Sequence, residues 1–85
     1  MDDILEVVKD AIGITDDYHD KKLRHYISEV KEYMKGAGIS EETVNSKTSY
    51  GTIVQGVTDI WTYGQGNLSN YFKERVIQIY YKEKR

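Results

Sequence analysis

Apolar residues recur along this chain at three- and four-residue spacing, and glycines fall between the repeats. Ile4, Leu5, Val7, Val8, Ala11 and Ile12 form one such stripe, which predicts a helix over about 2–12. Asp2, Asp3 and Glu6 place negative charge in its first turn, where the macrodipole favours it, and Gly13 fits its stop. Thr15 reads as the N-cap of a longer second helix over 17–36, with Asp16, Asp17 and Asp20 in or near the first turn. Its stripe is Leu23, Tyr26, Ile27, Val30, Tyr33, Met34 and Ala37, and Gly36-Ala37-Gly38 ends it. Ser40-Glu41-Glu42-Thr43 reads as a cap and one turn, and residues 45–49 as loop.

Tyr50, Ile53, Val54, Val57, Ile60 and Trp61 then return at helical spacing over about 50–63. The β-branched content of that stretch would also suit a strand; length and period favour helix. After Gly64-Gln65-Gly66, Asn67 or Ser69 can cap a last helix over 69–81, with Leu68, Phe72, Val76 and Tyr80 on one stripe. From Val76 onward, Ile77, Ile79 and Tyr81 alternate with Gln78, Tyr80 and Lys82, which leaves an extended segment open. The expected architecture is all-α: one domain over 1–85, a bundle of three to four main helices with Trp61 and Phe72 as core anchors.

Length and composition narrow this further. Eighty-five residues bury only somewhat over ~60% of the unfolded surface, so the core is thin. No cysteine is present, which removes disulfides, thiolate catalysis and Cys-based metal sites. No run approaches the ~18 apolar residues of a membrane span, and the opening MDDILEVV lacks a basic leader. A soluble, cytoplasmic protein without a membrane is expected. Net charge is −2, distributed as −6 over 1–20, +3 over 21–35, −2 over 36–70 and +3 over 71–85. Alternating solvated faces or a charge-matched contact between copies would each produce that pattern.

Candidate chemistry is sparse. His19 lies beside Asp16 and Asp20, an arrangement that can do acid–base work but also describes a solvated helix start. His19 and His25, six apart on a helix, point in different directions. The aspartates lack the spacing of a calcium loop, and Gly64-x-Gly66 follows a helix rather than a strand. No catalytic residues, metal or cofactor are expected, nor a small-molecule substrate.

The C-terminal stretch from Tyr63 carries five of the ten aromatic residues and five of the twelve Lys and Arg. Tyr71, Lys73, Arg75, Tyr80, Tyr81, Lys82, Lys84 and Arg85 are the candidate partner interface: tyrosine is enriched at interfaces, and the five cations could contact phosphate with the tyrosines stacking on bases, although the acidic pI argues against nucleic acid. Leu68, Phe72 and Val76 are assigned to core. Eight tyrosines also suit a core edge with hydroxyls in water. Removal of 76–85 is expected to abolish partner binding and leave the helical signal intact. A small helical DNA-binding regulator is the alternative, but the third long helix offers only Gln55 and Asp59 as polar readers.

The opening ILEVVKDAIGITDDYHDKKLRHYISEVKEYM resembles the start of phage head–tail connector proteins: a short helix, a glycine, an I-T-D turn and a long helix. The close LSNYFKERVIQIYY is similar to the S-x-F/Y-F-x-x-R-V-I-Q-L ending of versions from phages and prophages of Gram-positive bacteria. TIVQGVTDIWTYGQGN looks like their third helix and its glycine-bearing loop. The resemblance spans nearly the whole chain. It implies a homo-oligomeric ring that docks beneath the portal protein after DNA packaging, with packaged DNA passing nearby. It also implies a surface for the next head-completion or tail protein. The location implied is the virion, and the host cytoplasm during assembly.

Overall fold

The computed structural model describes residues 3–84, and within them five α-helices follow in order. These are α1 (Asp3–Ile12), α2 (Asp20–Gly36), α3 (Glu41–Val44), α4 (Tyr50–Tyr63) and α5 (Asn70–Lys84). Among the described residues there is no strand, so the all-α expectation holds. Asp2, Arg85 and the side chain of Asp3 lie outside the description. The radius of gyration, 12.3 Å, matches the ~12 Å of a compact domain this long, so α5 is packed rather than projecting.

Helix α4 is the hub, packed against α1, α2 and α5. Leu23, Ile27, Val30 and Met34 of α2 meet Ile53, Val57 and Ile60 of α4 in the core. Ile4, Leu5 and Val8 close it from α1, and Phe72 and Val76 from α5. Each fully buried aliphatic side chain contributes ~1.5–3 kcal/mol of transfer free energy. Val7 and Ala11 of the first stripe and Tyr33 and Ala37 of the second stay exposed, so both stripes are narrower than the spacing predicts. Trp61 is not a core anchor. It is half-buried at the edge, its ring edge-on to His19 at 5.2 Å and beneath the Lys22 ammonium at 5.8 Å.

The start of α2 differs from expectation. Thr15 does not cap it; the helix begins at Asp20, after a turn over 16–19. The acids expected in its first turn have other partners. Asp16 accepts from the Tyr18 N–H at 3.0 Å, while Asp17 and Asp20 pair with the Lys9 ammonium of α1 at 3.3 and 2.8 Å. Lys9 is only 5% exposed, and Asp20 first, then Asp17, hold its pKa above the ordinary lysine value. Residues 45–49 are not simple loop either. Lys47–Ser49 form a 3-10 turn that runs into α4, and the hydroxyls of Ser46 and Ser49 both donate to the Thr43 carbonyl.

Gly13, at φ 80, ends α1 as expected, since only glycine enters the left-handed region without strain. The strand alternative for 76–81 is overturned: α5 continues to Lys84. Ser69 caps it, accepting from the Phe72 N–H at 3.1 Å. Asn67 instead closes α4, donating to the carbonyls of Tyr63 and Gly64.

Candidate partner-binding face

Helix α5 is seated on glycines. A Cβ at Gly56 would stand 2.7 Å from Phe72 Cε1 and 2.9 Å from Val30 Cγ2. One at Gly51 would stand 3.1 Å from Arg75 Nη2, and one at Gly38 2.7 Å from Tyr80 Cε1. Phe72, Arg75 and Tyr80 of α5 therefore occupy space that other side chains would fill. Gly38 is required twice over, since its φ of 101 also lies in the left-handed region.

Polar ties fix both ends of α5. Asp59, 4% exposed, accepts from Ser69 N–H at 3.0 Å, Ser69 Oγ at 2.7 Å and Gln55 Nε2 at 3.0 Å. At the other end the Glu83 carboxylate accepts from the Ser40 N–H at 3.1 Å and from the Ser40 hydroxyl. The Ser40 hydroxyl hydrogen bond comes first among the causes that hold the Glu83 pKa below the ordinary glutamate value. Ser40 in turn caps α3, accepting from Thr43 N–H at 3.3 Å. Lys35 pairs with Glu41 at 3.1 Å and Glu32 at 3.4 Å, joining α2 to α3.

These contacts sort the candidate interface residues. Tyr80 is half-buried on Gly38, and Arg75 is half-buried beside Gly51. Arg75 Nη1 donates to the Tyr71 hydroxyl at 3.3 Å, so those two stand together. Tyr80 and Tyr81 touch edge-on at 5.5 Å, with the Lys84 ammonium 5.5 Å over the Tyr80 ring. Tyr71, Lys73, Tyr81, Lys82 and Lys84 are exposed, and Arg85 lies outside the described residues. Removal of 76–85 would thus take Val76 from the core, Tyr80 from its seat and Glu83 from Ser40. The expectation that such a truncation leaves the fold intact is corrected.

The outward half of α5 holds a residue that the sequence argument missed. Ile77 is 52% exposed, one turn before Tyr81, which is 64% exposed. Lys73, Ile77, Tyr81 and Lys84 follow the i, i+4, i+8, i+11 spacing of one helix face. That spacing was the available signal, hidden because Ile77 also fits a strand alternation. Of the eight tyrosines, Tyr18, Tyr33, Tyr63, Tyr71 and Tyr81 are exposed, Tyr50 and Tyr80 are half-buried and Tyr26 is buried.

Other groupings have structural partners. His19 packs edge-on against Tyr18 and Trp61, and Asp16 and Asp20 are engaged elsewhere. His25 lies 3.3 Å from Glu29 on the surface. Among the described residues no three His, Asp or Glu side chains converge as a metal site, and no helix is long and apolar enough to cross a membrane. Comparison with known protein families, curated proteins and solved structures gives no match to this chain.

Proposed function

We propose that the chain is a structural subunit of a phage head–tail connector. It joins a ring beneath the portal after DNA packaging and presents a surface to the next head-completion or tail protein. The observation that carries this proposal is the outward face of α5, where Ile77 and Tyr81 stand exposed between Lys73 and Lys84. A packed helix whose exposed apolar pair is flanked by cations is suited to burial against another protein. The acidic 1–20 segment and the basic 71–85 segment suit a head-to-tail contact between neighbouring copies. The order of motifs along the chain gives that contact its setting. The work needs no substrate or cofactor and is not enzymatic.

A DNA-reading role for α4 is disfavoured by its own polar residues. Asp59 is buried on Ser69, and Gln55 is bonded to Asp59, so neither is directed outward as a reader. The test is to mix the chain with a portal protein from its own genome and follow assembly by light scattering and electron microscopy. Assembly into a ring is expected, and Ile77→Glu with Tyr81→Glu should abolish it while the circular dichroism stays unchanged. No assembly by the wild-type chain, or full assembly by the folded double variant, would overturn the proposal.

A further inference from the structure

A second stripe of α5 has a different character. Arg75, Gln78 and Lys82 lie at i, i+3 and i+7, on one face. With Ile79, Thr48 of the 3-10 turn and Thr52 of α4's first turn, they line a cleft of about 190 Å³. Among the described residues neither cation has a carboxylate within ion-pair distance. Arg75 bonds only to the Tyr71 hydroxyl, and Lys82 makes no hydrogen bond. The nearby Glu83 is committed to Ser40. Thr52, 1% exposed, is buried in the wall with its Oγ1 unpartnered.

Lys82 is exposed to solvent, and the Arg75 guanidinium lies over the Tyr71 ring at 5.8 Å. Arg75 is half-buried beside Gly51, in the first turn of α4, where the helix dipole is positive and disfavours a cation. A bound anion would offset the Arg75 charge against that dipole. We infer that the cleft is a site for a phosphate group. The guanidinium offers a planar pair of donors, Lys82 a mobile point charge, and Gln78 and Thr48 neutral donors. A tetrahedral oxyanion accepts hydrogen bonds from donors of each of these kinds. The group can come as free phosphate or as the backbone of a nucleic acid; the seat is the same. This inference does not depend on the connector proposal.

The test is a ¹⁵N–¹H NMR titration of the full chain with inorganic phosphate at constant ionic strength, with chloride as control. Saturable shifts are expected at Thr48, Gly51, Thr52 and Gln78, with none for chloride. Arg75→Gln and Lys82→Gln should each weaken binding by about tenfold or more, the usual loss for a charge-assisted hydrogen bond. Lys82 is exposed, so its variant keeps the fold and protects the test if Arg75→Gln does not. A parallel arm uses a short DNA duplex. Shifts from phosphate alone support the site with free phosphate as its source; shifts at the same amides from both support it with a nucleic-acid backbone. Unsaturable drift, equal response to chloride, or wild-type affinity in Lys82→Gln would overturn it.

Discussion

Helices α2 and α5 are held in the fold by different means. Helix α2 meets α4 through an aliphatic ridge of Leu23, Ile27, Val30 and Met34, filling space with its own volume. Helix α5 inserts Phe72, Arg75 and Tyr80 where Gly56, Gly51 and Gly38 leave room, and is tied at its ends through Ser69–Asp59 and Glu83–Ser40. A ridge tolerates swaps that conserve volume. A seat depends on a side chain that is absent opposite, so Gly56 and Gly38 resist the gain of one carbon, whereas the flexible end of Arg75 can shift away from Gly51. The difference also divides α5: Phe72, Val76 and Tyr80 are committed to the fold, and its remaining stripes stand open to other molecules.

The strongest way to break this contrast is to empty the deepest seat. Phe72→Ala should cost about 3–5 kcal/mol. That is a large share of the ~4–13 kcal/mol expected of a domain this size, so urea denaturation should find the variant barely folded. Asp59→Ala comes next. It strands Ser69 N–H and Gln55 and loosens the α5 cap, at about 2–3 kcal/mol. Thermal melts should show a drop of roughly 10–20 °C, and a drop under a few degrees would mean that water replaces the carboxylate.

A pair of glycine substitutions sharpens the seat argument itself. Gly56→Ala forces Phe72 and Val30 aside, an overpacking cost of about 1–3 kcal/mol that exceeds the ~1 kcal/mol helix-propensity gain. Gly36→Ala, with nothing within 4 Å and no left-handed φ, should instead stabilise by about 0.5–1 kcal/mol. Equal shifts in the two denaturation midpoints would remove the distinction between a seat and an ordinary helical glycine.

The contrast also explains what was legible in the sequence. Period alone located α1, α2 and α4, because Leu23 to Met34 and Ile53 to Ile60 announce their burial by spacing. It also found Phe72 and Val76. The turn at 16–19 was hidden, since Asp17 and Asp20 serve a lysine eight and eleven residues upstream rather than their own helix end. The glycine seats were hidden too: Gly51 and Gly56 gain their meaning only when α5 is laid across them. For the candidate face, Tyr71, Lys73, Tyr81, Lys82 and Lys84 were legible as exposed polar or aromatic positions. The partial burial of Arg75 and Tyr80 was not, because it depends on residues 24 and 42 positions away.

The weakest tie gives the smallest expected effect and the clearest pH signature. Glu83 has its pKa held below the ordinary value of 4.5 by Ser40, so the bond favours the ionised form. Its contribution is therefore fully present above the unfolded glutamate pKa and is lost as pH falls through the lower folded value. Glu83→Gln keeps the shape but removes the charge. The melting temperature of the wild type should exceed that of the variant at neutral pH, and the gap should narrow on acidification below 4.5. A gap that is constant with pH would place the effect in packing rather than in ionisation, and α5 would then be held at its C-terminal end by the Tyr80 seat alone.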